Sequence, residues 1–348
     1  MTIKEIAKLA GVSTATVSLV LNNVEGRVSN EVRDKVLQVV KENDFIPNKI
    51  ARSLREKRTK TLGVLTEDIT SFRIPGVLSG INHYLENTDF HVVLNNLSLL
   101  EKTGNRTDKV LNFKHEIEDA INLFVEARID GMIYIGWQDR DIRDLIRPLS
   151  CPVVYAYCFS SLDDRSWISY DNDLAMEEIL DRVLSLGHKR IAFIGGVDEN
   201  CYPTAKRLKV YQDKLAAANI PLRREYIKFG DWSFNDGKRF YRDFRSLEEP
   251  PTAILSLNDY MAAGVIEESM TTDRKVLDEI SVVGFNGLEF VEFLYPSLAS
   301  MRLPLEEIGY RAAEQLVSEV QNKDYPHKRE LLKCEFINGS SLRPNPRA

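Results

Sequence analysis

Thr14, Ala15 and Ser18 are small side chains at the front of a segment whose Val17, Val20 and Leu21 repeat at helical spacing. The apolar positions take one face and leave the small ones on the other. A helix presenting only short hydroxyl and methyl groups can lie flush against base edges in a DNA major groove. Further along, Leu54 is the one large apolar residue of Ala51-Arg-Ser-Leu-Arg55. An apolar wedge between Arg52 and Arg55 suits insertion into a minor-groove step, with the guanidinium groups along its walls. A flexible linker in which Leu54 is incidental fits the same residues equally well.

These groups need rigid elements to carry them. Thr2-Ile-Lys-Glu5 is a capping box, in which Thr2 and Glu5 satisfy each other's free amides and start a helix that runs to Leu9. Ala10-Gly11-Val12 is a tight turn, small enough for the next helix to cross at a steep angle. Ser13 caps that second helix, over 14–21. A third helix, capped by Ser29, directs Val32, Val36, Leu37 and Val40 inward and breaks at Pro47. The pattern predicts a helix-turn-helix. Residues 48–55 predict a fourth helix, too short to stand alone in water, that orders against DNA and a partner copy. Charge points the same way: residues 1–60 hold twelve Lys/Arg against seven acids, leaving a net −11 on the remaining 288. A basic headpiece on an acidic body suits a chain that meets phosphates at one end only. The plainer alternative is a three-helix subdomain with a solvated basic face.

Beyond residue 61 the pattern becomes α/β. Short apolar strands at 61–66, 90–94, 131–135 and 152–155 alternate with amphipathic segments such as 77–85 and 116–127. The series restarts at 190–195, 226–229, 253–256 and 280–284. Two successive doubly wound parallel units predict two lobes, with a small-molecule cleft between the carboxyl ends of their strands. No apolar run is long enough to cross a membrane, and Met1 leads straight into a capped helix, so a cytoplasmic protein is expected. Cys151, Cys158, Cys201 and Cys334 lack metal-ligand spacing, which predicts reduced thiols and no metal.

Gly11-Val-Ser-Thr-Ala-Thr-Val-Ser18, Phe45-Ile-Pro-Asn48, Ala51-Arg-Ser-Leu54, Leu186-Gly-His-Lys-Arg-Ile191, Pro251-Thr-Ala-Ile-Leu-Ser-Leu-Asn-Asp259 and Ile280-Ser-Val-Val-Gly-Phe285 occur in this order. Together with Tyr295-Pro-Ser-Leu298 and Glu306-Glu-Ile-Gly309, they resemble the lactose/galactose repressor (LacI/GalR) family of bacterial transcription regulators from Thr2 to Leu342. The resemblance implies a helix-turn-helix headpiece (1–45), a hinge helix and linker (46–61), and a two-lobed core like that of periplasmic sugar-binding proteins. The N-terminal lobe would comprise 62–160 plus 303–323 and the C-terminal lobe 161–302 plus 324–343, with crossings near Phe159, Arg302 and Asp324. It implies a homodimer that binds double-stranded operator DNA and a small-molecule sugar effector, with no cofactor and no membrane partner.

Carried over by position, Thr14, Ala15 and Ser18 lie near bases, Ser13, Asn22 and Ser29 near phosphates, and Leu54 in the minor groove. Thr2, Ile3, Asn48, Ala51, Arg52 and Arg55 complete the expected DNA contacts. Leu19 stands where the family usually has Arg, and Leu cannot read guanine, so the half-site is altered or Arg27 supplies the contact. On the effector side Arg207 falls at the family's ligand-binding arginine, with Trp232 in Gly230-Asp-Trp-Ser233 and Asn258, Asp259 and Asn286 on following loops. An aromatic face with planar donors is sugar-binding chemistry, although a lone Trp is more often ordinary packing. Ser71, Phe72, Arg73 and Tyr157 are candidate pocket walls. The family often has Asp at Asn286 and Gly at Val210, which leaves the sugar's identity open. Three segments, at 195–199, 167–173 and 295–302, are similar to the branch that includes evolved β-galactosidase repressors and Gram-positive galactose/lactose regulators. That implies galactose or a β-galactoside as effector. A corepressor-dependent or purine-responsive regulator of the same family is the alternative.

Other classes fit less well. A transport-type sugar-binding protein would carry an export signal and no headpiece. A nucleotide enzyme would carry GxGxxG or GxxxxGK[ST], and a hydrolase an HExxH or GxSxG; none occurs. The five His are scattered, so no catalysis is expected. The C-terminal Arg343-Pro-Asn-Pro-Arg-Ala348 has no apolar heptads to join dimers into a tetramer.

Overall fold

A computed structural model describes residues 1–21, 24, 26–45, 58–104, 106–143, 145–162, 164–272 and 280–346. The chain divides into two compact units, Met1–Thr59 and Lys60–Ala348.

The first unit packs three helices: α1 (Ile3–Ala10), α2 (Thr14–Leu21) and α3 (Asn30–Glu42). Both bonds of the expected capping box form: the Thr2 amide donates to Glu5 Oε2 at 2.7 Å and the Glu5 amide to Thr2 Oγ1 at 3.4 Å. Gly11 takes the left-handed conformation (φ 65°) that ends α1, which a β-carbon would strain. Ile6, Ala7, Ala10, Val17, Val20 and Val36 form a small core. Leu37 does not join it; it is 45% exposed, and Val39 packs with Val40 instead. One residue past Val36 is a rotation of about 100° around the helix, which carries Leu37 off the buried face. Helix α3 also stops at Glu42, well before Pro47, with Asp44 in the left-handed region (φ 43°). The expected hinge helix and its Asn48, Ala51, Arg52, Leu54 and Arg55 lie outside the described residues, as does Asn22.

The second unit holds two α/β lobes. A six-stranded parallel sheet contains β1 (Thr61–Thr66), β2 (His91–Asn96), β3 (Gly131–Ile135), β4 (Val153–Ala156), β5 (Ser166–Tyr170) and β11 (Arg329–Leu332), ordered β11-β5-β4-β3-β1-β2. A four-stranded parallel sheet contains β6 (Ile191–Gly196), β7 (Ile227–Gly230), β8 (Ala253–Ser256) and β9 (Ser281–Val283), ordered β7-β6-β8-β9. Between β9 and β11 in sequence comes β10 (Ser300–Arg302), which pairs antiparallel with β12 (Glu335–Ile337). The covering helices are α4 (Ile74–Leu85), α5 (Leu99–Thr103), α6 (Lys114–Glu126), α7 (Asn172–Ser185), α8 (Tyr202–Ala217), α9 (Phe234–Arg245), α10 (Asp259–Thr272) and α11 (Leu305–Gln321).

The lobe boundaries differ from expectation at two of three places. Strands β5 and β11, expected in the C-terminal lobe, belong to the first sheet: β5 pairs with β4 and with β11. The chain therefore leaves that sheet after Tyr170 rather than near Phe159, and finally after Leu332 rather than near Asp324. Both strands lack a strong apolar run. β5 alternates Ser with Trp, Ile and Tyr, and β11 is a short edge strand with two charges.

Reciprocal glycines hold each lobe's helix pair at contact distance. A β-carbon on Gly80 of α4 would lie 1.8 Å from the Glu306 carbonyl oxygen, and one on Gly309 of α11 1.9 Å from that of Val77. Gly237 and Gly264 do the same for α9 and α10, at 1.9 Å from Met261 O and 2.0 Å from Phe234 O. Backbone meets backbone there, so no side chain can swing aside. Gly80→Ala is expected to destabilise the core by at least about 2 kcal/mol in urea unfolding. Gly76→Ala, whose β-carbon would meet the Leu305 side chain at 2.9 Å, should cost less. Equal stability of Gly80→Ala and wild type would show that α4 and α11 are not locked in this way.

Candidate functional site

The headpiece presents its small residues outward. Thr14 and Ala15 are exposed on α2, while Ser18 and Leu19 are half-buried. The Ser13 hydroxyl caps α2 by accepting from the Thr16 amide at 3.0 Å, and Ser29 caps α3 by accepting from Val32 N at 3.4 Å. Each hydroxyl proton remains a possible donor to a phosphate. Thr2 and Ile3 are exposed at the start of α1, and Arg27 is exposed in the loop before α3. Arg33 closes that loop by donating to the Val24 carbonyl at 2.8 Å.

The cleft lies where the lobes meet. Arg207, on α8 of the second lobe, is buried and donates from all three nitrogens. Nε reaches Asn172 Oδ1 at 2.9 Å, Nη1 the Leu257 carbonyl at 3.1 Å and Nη2 the Tyr170 hydroxyl at 2.8 Å. Its carbon stands 3.5 Å over the centre of the Phe285 ring. Tyr170 ends β5 of the first sheet, so one guanidinium ties the two lobes. Asn172 passes the connection on, donating to Asp139 Oδ2 at 2.5 Å, while Ser169 donates to Oδ1 at 2.7 Å. Burial pushes the Asp139 carboxyl up to about 6, against those two hydrogen bonds and the Arg207 charge, which lower it.

A buried ion pair fixes the loop that carries Asp139. Arg140 Nη1 and the Trp137 amide both donate to Glu67 Oε2, at 3.0 and 2.9 Å, and Tyr134 donates to Oε1 at 2.5 Å. With the pair held by neutral donors as well as by charge, the backbone at 137–140 has little freedom. Gln138 from this loop accepts from the Cys201 thiol of the other lobe at 3.6 Å.

Arg73, Tyr157, Arg207 and Trp232, all expected, line one pocket together with Gln138 and Asp139. Its free space is about 10 Å³, room for about one water molecule. Tyr157 and Tyr170 stack at 5.5 Å and 23° as its floor. Trp232 is held with φ 63° and packs its ring on Gly196, where a β-carbon would lie 1.8 Å away. Across the cleft, Phe72 meets Tyr260 edge to face at 6.2 Å, and Arg106 faces Asp198 at 3.7 Å.

Other expected residues have different partners. Asn258 donates to the Trp232 carbonyl and accepts from Met261 N, both at 2.8 Å, so it shapes the tryptophan loop. Asp259 accepts from Ser300 Oγ at 2.5 Å and Leu288 N at 2.8 Å, which anchors β10. Ser71 is buried in the turn before α4, where its carbonyl accepts from Ile74 N. Asn286 (φ 114°) sits beside Phe285 and is bridged to Arg302. Among the described residues, Arg73 Nε, Trp232 Nε1 and Asn286 Nδ2 are buried donors with no protein acceptor. Sequence reasoning missed Gln138, Asp139, Tyr170 and Asn172. The available signal was position: Gln138 and Asp139 follow β3 at the carboxyl end of a central parallel strand, where such sheets place ligands.

Comparison with known proteins agrees with this architecture. Residues 2–48 match the family model for bacterial regulatory proteins of the lacI family, and 180–342 that for a periplasmic binding protein-like domain. Catabolite control protein A of Priestia megaterium is 28% identical over 325 residues, covering 93% of each chain. The HTH-type transcriptional repressor CytR of Escherichia coli K12 is 28% identical over 350 residues, 99% of this chain and 97% of that one. In fold, the chain superposes on the lac repressor dimer bound to operator and the anti-inducer ONPF with a TM-score of 0.80 at 21% identity, covering 99% of each. The transcriptional regulator CelR in complex with cellobiose gives 0.66 at 22% identity, covering 98% of this chain and 99% of that one. Residues 2–48 are a lacI-family regulatory domain joined to a periplasmic binding protein-like core, and the chain is a DNA-binding transcriptional regulator.

Proposed function

We propose that this regulator is a cytoplasmic repressor of a sugar-utilisation operon, bound to its operator as a homodimer and released by a neutral sugar. The first candidates are galactose and β-galactosides, on the strength of the sequence resemblance. The DNA-reading face is α2, with Thr14, Ala15, Ser18 and Leu19 toward bases, and Thr2, Ile3, Ser13, Arg27 and Ser29 toward the backbone or groove walls. The hinge residues Asn48, Ala51, Arg52, Leu54 and Arg55, with Asn22, complete that surface. Two copies have a natural meeting place at β2, the end strand of its sheet, where Val93 and Leu94 are 43% and 40% exposed.

The observation that carries the effector reading is the donor set of the cleft. Arg73 Nε and Trp232 Nε1, both on the pocket wall, lack protein acceptors, and a buried donor left unmade costs about 1–3 kcal/mol. Hydroxyl oxygens of a polyol supply acceptors, and the Asp139 carboxylate beside them can accept a hydroxyl proton in return. A free anion fits less well, because the Asp139 carboxylate is close by and three of the five N–H groups of Arg207 are already bonded to the protein.

A thermal-shift and calorimetric panel of neutral sugars and sugar phosphates tests this, since a ligand of the folded state raises its midpoint. Arg73→Ala should weaken binding of the active sugar by about tenfold or more, with operator affinity in its absence unchanged. A folded Arg73→Ala protein with wild-type sugar affinity would place the site elsewhere.

A pH dependence follows from Asp139. Its carboxyl titrates near 6, and only the ionised form accepts hydroxyl protons on both oxygens. Sugar affinity should therefore rise as pH increases through about 6, and Asp139→Asn should lose that rise. A flat affinity profile from pH 5 to 8 in the wild type would remove Asp139 from the contact set.

DNA binding should weaken steeply with salt, and the isolated headpiece should bind far more weakly than the full chain, because it lacks the dimeric linkage of two half-sites. Equal affinities for fragment and full chain would contradict the dimeric reading.

A further inference from the structure

A second cavity, of about 220 Å³, opens where the end of β5 meets the first turns of α7 and α8. Asp139 and Tyr170 belong to its wall and to that of the Arg207 pocket, and both are buried, so they part the two spaces. Phe159, Trp167 and Tyr202 line it with half-buried rings, and Leu331 beside them is exposed. Phe159 contacts both other rings, Trp167 at 5.7 Å and Tyr202 at 5.5 Å. The charged groups of the wall are Asp139, Asp171 and Asp173 against Lys206 alone. Asp171 caps α7 by accepting the Leu174 amide at 2.9 Å, and Asp173 faces Lys206 at 3.6 Å. Lys206 also stands over the Tyr202 ring, with Nζ 5.9 Å from its centre. The protein thus already seats a cation of its own at this ring. Burial pushes the Tyr202 phenol up, and the charges of Asp139, Asp173 and Asp141 push it the same way, so the field there is negative.

We propose that this cavity binds a small methylated ammonium ion, seated against the Phe159, Trp167 and Tyr202 rings with its charge toward Asp171 and Asp173. The site is independent of the sugar reading above. The chemistry of the wall selects the class. Aromatic rings attract a cation through their negative faces, and the methyl groups around a quaternary nitrogen cover the apolar surface that the half-open rings keep in water. The excess of carboxylates balances the charge and repels an anion. A bare metal ion would leave the three rings unused, and a primary ammonium would need acceptors for three N–H groups. The space is large enough for several water molecules, and so for a nitrogen with its methyl groups. Phe159 and Trp167 come from the first lobe, Tyr202 and Lys206 from the second, so an ion held by all of them bridges the lobes.

The test is calorimetry on the full-length protein with choline and with its uncharged isostere, in which carbon replaces the quaternary nitrogen. Choline should bind with a millimolar or lower dissociation constant, and about tenfold or more tightly than the isostere, since shape and apolar surface are shared and only the charge differs. Trp167→Leu, which keeps bulk without the ring, should lower choline affinity by about tenfold, and Trp167→Phe should hold it within about threefold. Lys206→Met removes the ammonium that stands over Tyr202 and the one positive charge of the wall. It should raise choline affinity by about threefold or more and leave the isostere within about twofold. Lys206 is exposed on α8, so this variant decides the matter even where Trp167→Leu fails to fold. Equal affinity for choline and its isostere, no binding of choline at millimolar concentrations, or a choline affinity that Lys206→Met leaves unchanged overturns the site. The sugar reading stands or falls separately, on the Arg73 and Asp139 variants.

Discussion

The guanidinium of Arg207 is the contact on which the arrangement of the core depends. Its three nitrogens reach the last residue of one lobe's sheet, the first residue of the helix that leaves it, and a carbonyl of the other lobe. A planar fork with fixed directions holds all three only when the lobes stand in one relation. The Phe285 ring covers one face of the guanidinium, with its centre 3.5 Å from the central carbon. A ligand that takes any of these three N–H groups competes with the bonds that set the lobe geometry. That is the physical basis for coupling: a ligand shifts the equilibrium only by what it binds differently in the two arrangements.

Around this anchor the protein separates rigid parts from adjustable ones. The Glu67–Arg140 pair and the reciprocal glycines fix loop and helix positions through buried, fully used contacts. The interlobe contacts are of another kind. Arg106–Asp198 is partly exposed and worth little alone, and the Phe72–Tyr260 and Phe159–Tyr202 edges can slide. Stiff lobes joined by weak edges and one strong central tie are suited to a small rotation with few intermediate states.

How much of this could be read from residues varied with the strength of local signals. Caps and helical periodicity placed α1 to α3, because Thr2, Gly11, Ser13 and Ser29 act within a few residues of themselves. The inward assignment of Leu37 failed because α3 has a single fully buried position, Val36, and the helix turns Leu37 away. Strands β5 and β11 escaped notice because their partners, not their own apolar content, make them strands. Asn258 and Asp259 were expected at the ligand, yet the fold uses them to hold the Trp232 loop and β10. Asp139 and Tyr170 were missed for the converse reason: nothing in their neighbours marks them, and only the sheet order brings them to Arg207.

The central claim is that the cleft and the DNA-reading face share one equilibrium. Thermodynamic linkage makes that claim reciprocal: the factor by which a sugar changes operator affinity equals the factor by which operator changes sugar affinity. The direct measurement is a pair of titrations on the full-length protein at one salt concentration, DNA with and without saturating sugar, and sugar with and without operator. Both dissociation constants should shift by the same factor, on the order of tenfold or more. Sugar binding that leaves operator affinity unchanged would contradict the claim.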